Sequence, residues 1–339
     1  MHYIKPNLTW GALAAAIAMT LVACGGGSSD TSAPAAPADP ATASALYAGP
    51  IAGFGSVIVN GVRFSSVGAE LVDDDAQTLS LAQLKLGMTL RITGDTDENT
   101  LQGTATRLEL VHGDRGQVTA LDLNAGTLTV LGQLVVTNAA TVYQGASGLA
   151  ALTVGQPVEV YGALQADGSL LATLVEVKTT LTSINLNGRM QSVTATTFQV
   201  GSLTVDYSAA QMSGVPGEGK QVKVKAATGP TNNVLNASSV QVFDSGSIYG
   251  ANVAANTRLK IKGVADAAPV NGLLTLSGTP VDVSAAVIKG GGAIVAGQFI
   301  EVKGNWNGSL LQATEVEVEG YRESQIGGRN ELYGSVSSI

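Results

Sequence analysis

The sequence predicts an all-β protein made of small tandem units, and three observations predict it. Two short phrases recur in step along the chain, their residues alternate apolar and polar, and turns containing Asn-Gly or Asp-Gly separate them. Strict alternation marks a strand with one buried face, because successive side chains point to opposite sides. Asn-Gly and Asp-Gly accept the positive φ that tight hairpins demand. The composition agrees. Of 339 residues, 45% are hydrophobic, enough to fill cores, while 13% are charged and 4% aromatic. This is not the low-hydrophobicity, high-charge composition of a disordered chain.

The first phrase is Gly155-Gln156-Pro157-Val158-Glu159-Val160-Tyr161-Gly162. It returns as Gly297-Gln298-Phe299-Ile300-Glu301-Val302-Lys303-Gly304, and more loosely from Gly87 to Gly94 and from Gly219 to Val224. The second phrase follows each copy: Ala105-Thr106-Arg107-Leu108-Glu109-Leu110, then the stretches Ala172–Val177, Ala237–Val242 and Ala313–Val318. The pattern points Val158 and Val160 inward, and Glu159 and Tyr161 outward. Polar turns join the two strands, at Ala166-Asp167-Gly168-Ser169 and at Trp306-Asn307-Gly308-Ser309, so each unit is expected to end in a β-hairpin.

Upstream, each unit opens with a strand such as Gly116-Gln117-Val118, followed by strand candidates at Thr127–Val130 and Leu134–Thr137. The third unit gives Gly188-Arg189-Met190, Thr197–Val200 and Leu203–Val205. The Ala- and Leu-rich stretch from Ala146 to Leu152 predicts one helical turn before the hairpin. The order strand, strand, strand, short helix, strand, strand is that of a five-stranded OB-type barrel, whose closure removes open edges. A small two-sheet sandwich per unit is the alternative. The expected repeats span 49–113, 114–180, 181–245 and 246–320. Residues 321–339 resemble the start of a fifth repeat, which the chain is too short to complete.

Residues 1–23 read as a secretory signal: Lys5 near the start, then an apolar stretch shorter than the roughly 20 residues a spanning helix needs. It ends Leu21-Val22-Ala23-Cys24 and resembles the lipobox of bacterial lipoproteins. That resemblance implies a diacylglyceryl thioether on Cys24 and cleavage before it. Gly25, rather than Asp, implies sorting to the outer membrane of a Gram-negative bacterium, on its periplasmic or its surface face. Residues 24–48 are rich in Gly, Ser, Ala and Pro and read as a flexible tether.

The Gly-x-Val openings, the Gly-x-x-Val-x-Val-x-Gly strand, the Asp-Gly or Asn-Gly hairpin and the Ala-Thr-x-Val-Glu-Val ending together resemble the bacterial domain of unknown function 5666. The resemblance covers about residues 49–320 and implies an all-β envelope domain with no established activity. The third unit departs most: its turn reads Thr231-Asn232-Asn233 without Gly, and Gln241 replaces Glu.

The chemistry on offer is sparse. The chain has one Cys and two His, which excludes a zinc site built from Cys and His and any disulfide framework. His112 falls between two units and reads as a linker residue. No Gly-x-Ser-x-Gly elbow is present. Gly214-Val215-Pro216-Gly217-Glu218-Gly219-Lys220 has phosphate-loop spacing, but Gln221 follows where Ser or Thr would hold magnesium, and a strand follows where a helix is needed. The clusters Asp73-Asp74-Asp75 and Asp95–Asn99 lack EF-hand spacing and read as solvated turns. The pairs Glu159 with Glu176 and Glu301 with Glu317 could in principle cut glycosides. Their recurrence at one repeat position suits an outward surface pattern instead.

No catalytic residue, metal site or cofactor is therefore expected. The formal charge of −8, and sparse, scattered aromatics, argue against nucleic acid. The expected role is a non-enzymatic binding or scaffolding module of the cell envelope, with an envelope polysaccharide hydrolase as the alternative. Its expected partners are the membrane, through the lipid, and polysaccharide or another envelope protein. Tyr161, Lys303 and Trp306 are the candidate contact residues.

Overall fold

The structure is a computed structural model that describes residues 45–97, 100–165, 167–243, 253–265, 267–276, 279–290, 292–296 and 298–318. The signal, nearly all of the tether with Cys24, and the C-terminal segment 321–339 lie outside these residues. Among the described residues, no helix is long and apolar enough to cross a membrane.

Twenty-five strands fall into four successive groups. The first repeat holds β1 (Ala45–Gly53), β2 (Val57–Val59), β3 (Val62–Ser65), β4 (Glu70–Asp73), β5 (Thr89–Asp97) and β6 (Gln102–Val111). The second holds β7 (Asp114–Asp122), β8 (Thr127–Val130), β9 (Gln133–Val136), β10 (Val142–Gln144), β11 (Pro157–Leu164) and β12 (Leu170–Val177). The third holds β13 (Ile184–Arg189), β14 (Thr197–Val200), β15 (Leu203–Asp206), β16 (Gln211–Ser213), β17 (Gln221–Ala226), β18 (Val234–Asn236) and β19 (Ser239–Phe243). The fourth holds β20 (Thr257–Val264), β21 (Leu273–Leu276), β22 (Thr279–Asp282), β23 (Val287–Lys289), β24 (Phe299–Trp306) and β25 (Leu311–Val318). The first strand thus begins before the expected start of the first repeat at residue 49, and Tyr47 and Ala48 are already buried.

The second repeat closes on itself. β7 pairs with β8, β8 with β9, β9 in parallel with β12, β12 with β11, and β11 back with β7. This is the strand order of an OB-type barrel, and the first repeat closes in the same way through β1, β2, β3, β6 and β5. The sandwich alternative is set aside for both. In the third and fourth repeats, single bridges at Gln191–Gln199 and Ala265–Leu276 join the first strand to the second. The helical turn before the hairpin is present as short 3₁₀ segments at Leu81–Gln83 and Leu149–Ala151.

The repeated sequence phrase builds the same wall in each barrel. Leu90 and Ile92, Val158 and Val160, Val222 and Val224, and Ile300 and Val302 all lie buried in the cores. Each such side chain contributes about 1.5–3 kcal/mol when removed from water. The glycine that ends the phrase has its own cause. At Gly94, Gly162 and Gly304 the hairpin register shifts by a bulge, and a Cβ there would meet the partner strand's carbonyl oxygen at 2.2 Å. The third repeat has Ala226 at this place, its strand ends there, and its pairing with β19 shows no such shift. Its turn does without glycine because Asn232 and Asn233 themselves take positive φ, the conformation a two-residue hairpin loop needs.

One regular feature had no sequence signal. In every repeat a short extra strand (β4, β10, β16 or β23) lies parallel to the last strand. Three or four residues are too few to show a period.

The barrels share their surfaces. β1 pairs in parallel with β20, joining the first repeat to the fourth. β7 meets β13 at Asn185–Arg115, and the second and third repeats share one hydrophobic cluster. Tyr161 and Leu174, on the outer wall of the second barrel, lie in the core cluster of the first.

Candidate functional site

The outward positions of the phrase do not face water. Arg91, Glu159, Lys223 and Glu301 occupy equivalent places on β5, β11, β17 and β24, and each is at most 6% exposed. Glu176 and Glu317, their cross-strand partners on β12 and β25, are buried as well. The expectation of a solvated carboxylate pattern is corrected here: these residues point out of their own barrel and into the seams between barrels.

A charged network fills the seam where the first three repeats meet. Glu159 lies 2.9 Å from both Arg115 and Lys178, and Lys178 also reaches Glu176 at 2.9 Å. Lys85 of the first repeat bonds Glu176 at 2.6 Å. Lys223 of the third repeat lies 2.7 Å from Asp74 and 3.1 Å from Asp75, and Lys225 also pairs with Asp75. His112, in the link between β6 and β7, sets Nε2 3.1 Å from Asp73. It is a linker residue by position, as expected, but its ring is packed into this network rather than solvated.

Burial works to raise the Glu159 carboxyl, but the His112 ring beside it, the Arg115 guanidinium and the Lys178 ammonium outweigh it and hold it well below the usual range. A carboxylate so held cannot deliver a proton, which general acid catalysis of glycoside cleavage requires. Asp73, Asp75 and His112 bring ligand-type atoms within 4.8 Å of one another. The ammonium groups of Lys223 and Lys225 already compensate Asp75, so the cluster is an ion-pair clamp between repeats.

Behind the clamp is a space of about 60 Å³ lined by Thr89, His112, Asp114, Tyr161 and Asn187, among others. A second, open space of about 280 Å³ runs along the seam of the second and third repeats. It is bordered by the β8–β9 turn, the β11–β12 turn and the β14–β15 turn, with Gln133, Asp167, Arg189, Gln191 and Ser202 presenting polar groups. Its narrow wall is glycine: a Cβ on Gly201 would meet the Gly132 carbonyl at 2.2 Å. Asp167 is fixed by its own turn, its carboxylate accepting hydrogen bonds from the Ser169 backbone N–H (2.8 Å) and hydroxyl (2.7 Å). The Gln133 side-chain amide donates to the Gly168 carbonyl, and its Oε1 is buried without a hydrogen-bond partner among the described residues.

The candidate contact residues are not a surface. Tyr161 is 2% exposed and packed into the first repeat's core; Trp306 is 2% exposed and packed in the fourth. Trp306 is the last residue of β24 rather than part of the turn, which places its ring over the barrel interior. Lys303 lies on the same strand and bonds Glu315 at 3.0 Å. The structure therefore scatters the three. The phosphate-loop look-alike is a turn ahead of β17, with the Lys220 ammonium donating to the Val215 carbonyl. Sequence reasoning missed the groove residues. The available signal was Gln133, a polar residue at an inward position of β9.

No curated protein matches the chain. Among solved structures, Drosophila Unr CSD456 is similar at 13% identity and a TM-score of 0.20, covering 59% of this chain and 98% of that one. The strand order above, not this likeness, carries the fold. Residues 115–176 and 260–317, the bulk of the second and fourth repeats, match the family described as a domain of unknown function, DUF5666, so those two repeats resemble it in tandem.

Proposed function

We propose that the chain is a non-enzymatic binding or scaffolding module of the cell envelope, held to the outer membrane through lipid on Cys24. The observation that carries this reading is the use made of the carboxylate pairs. Glu159 with Glu176 and Glu301 with Glu317 are buried, and Glu159, Glu176 and Glu301 are committed to cations: Glu301 lies 3.1 Å from Lys260. Carboxylates committed to buried ion pairs are not free for acid–base turnover. The polar groove between the second and third repeats supports the binding half of the reading. It offers a carboxylate, a guanidinium, an amide and a hydroxyl within one open seam, the mix of donors and acceptors that hydroxyl-rich glycans or a polar protein loop require.

The test is in vivo cross-linking of the lipidated protein to envelope polysaccharide and protein, comparing wild type with Asp167→Arg and Arg189→Glu. The reading expects one cross-linked species that both charge reversals remove. Cleavage of a glycan by purified wild type, abolished in Glu159→Gln or Glu301→Gln, would overturn it in favour of a hydrolase.

A further inference from the structure

The space at the three-repeat junction is bordered by a buried carboxylate with no counter-charge of its own. Asp114 is fully buried on β7. Its Oδ1 accepts hydrogen bonds from the Asn187 backbone N–H at 2.7 Å and side-chain amide at 3.0 Å. Its Oδ2 has no hydrogen-bond partner among the described residues, and the same is true of two neighbours on that space, Thr89 Oγ1 and His112 Nδ1. The nearest acceptor recorded for His112 Nδ1 is Glu159 at 3.6 Å, beyond hydrogen-bond reach.

Buried polar atoms in folded proteins are satisfied, and a space of this size beside three such atoms has room for water. Water can serve Thr89 and His112, but it does not cancel a buried charge. The nearby cations are engaged elsewhere: Arg115 and Lys178 on Glu159, Lys223 on Asp74 and Asp75. The rest of the lining includes Val160, Leu164, Leu170, Val222 and Phe243, too apolar to supply the oxygen shell of a metal cation. A proton is the ligand that remains.

We propose that Asp114 is a proton-binding site at the seam of the first three repeats: closing the seam loads its carboxyl with a proton, and losing that proton loosens the seam. Charged and titratable groups flank it from each neighbouring element. From β11 come Glu159, held ionised, and Tyr161, whose hydroxyl burial pushes well above its ordinary value. From β7 and the strand end of β12 come Arg115 and Lys178; for both, burial works downward but bonds to Glu159 prevail and raise them. From the first repeat come Asp73, Asp74, Asp75 and Lys85, and from β17 Lys223. Asn187 on β13, Gln221 on β17 and Phe243 on β19 do not titrate.

Burial pushes Asp114 up from 3.8 to about 7, against the downward pull of its two bonds from Asn187. Burial works to lower His112, but Glu159, Asp74 and Asp73 prevail and raise it above 6.5. Both groups bind protons more tightly in the closed array than in the unfolded chain. Cohesion from Asp114 is therefore full below its unfolded value and is lost as pH rises from there through about 7. Cohesion from His112 is lost over a higher range, as pH rises through its raised folded value.

The experiment is thermal melting of the full mature chain at about pH 5.5 and about pH 8. Wild type is expected to melt several degrees lower at the higher pH. Asp114→Asn keeps an acceptor for Asn187 and carries no charge, so it should lose most of that drop and melt above wild type at about pH 8. His112→Gln separates the imidazole and should leave the Asp114 share in place. If Asp114→Asn keeps the full wild-type drop, the proposal fails. It fails equally if sodium chloride, but not choline chloride, restores wild type at about pH 8, since the ligand would then be a metal cation. Should Asp114→Asn not fold, carbon NMR of the wild-type side-chain carboxyls decides. A carboxyl at Asp114 titrating near neutrality supports the proposal, and one ionised down to about pH 4 overturns it.

Discussion

The Lys223 ammonium lies 2.7 Å from the Asp74 carboxylate and ties the third repeat directly to the first, across a seam in which the two side chains are 6% and 11% exposed. Charges taken this far out of water are costly unless matched, so the pair specifies which surfaces meet more than it adds stability.

Removing one partner should therefore cost far more than removing both. Lys223→Met is expected to lower unfolding free energy by roughly 3–5 kcal/mol, because Asp74 is left buried without its ammonium while Asp75 keeps Lys225. Lys223→Met combined with Asp74→Leu should recover a good part of that loss. Urea denaturation of the four chains of the double-mutant cycle measures it, and equal losses in the single and double variants would refute the coupling.

Gly162→Ala should be among the most damaging small substitutions, since its new methyl would sit 2.2 Å from the Leu171 carbonyl across the hairpin. A loss of more than about 2 kcal/mol is expected, against roughly ±0.5 kcal/mol for Gly229→Ala, where nothing lies within 4 Å. Comparable denaturation midpoints for the two variants would contradict the close approach.

Glu159 sets the acid limit of the array. Its folded value lies below its unfolded 4.5, so its contribution is present above that value and is lost as pH falls below it. Glu159→Gln should be less stable than wild type at neutral pH, and its melting temperature should fall less between about pH 5 and pH 3. Parallel acid limbs in the two proteins would show that Glu159 is not held by its partners.

Cys24 lies outside the described residues, and its role rests on the lipobox resemblance. Cys24→Ser should accumulate as uncleaved precursor without palmitate label. Label retained in that variant would remove the anchor from the proposed function.

Excised repeats should melt well below the whole. The second repeat alone would expose Tyr161 and Leu174, which now lie in the core of the first, and would leave Glu176 without Lys85. Identical melting of residues 114–180 and of the mature chain would instead mean independent units.

How much of this was legible depends on what one repeat knows of the next. Val158 and Val160 were readable as inward because the strand's own period encodes its barrel's core, and Asp167-Gly168 was readable as a turn because its backbone needs are local. Glu159 was readable as outward for the same reason. Whether outward meant water or a neighbouring barrel was not, since a carboxylate paired with Arg115 and Lys178 of its own repeat suits either an open surface or a covered seam. Trp306 was assigned to the turn it borders, because strand ends carry no period of their own. The groove formed by Gln133, Asp167, Arg189 and Ser202 joins turns that are distant in sequence, so no single stretch announces it.

The parallel pairing of β1 with β20 has a consequence for how the chain is made. The ribosome releases the N-terminus first, so Leu46, Tyr47 and Ala48 emerge long before Leu259, Lys260 and Ile261, the residues they pair with. Until the fourth repeat arrives, β1 offers an unpaired edge, the kind of surface that recruits stray strands. The last repeat to be synthesised is thus the one that finishes the first. A chain truncated after the third repeat should bind chaperones more than a chain lacking any other equal length.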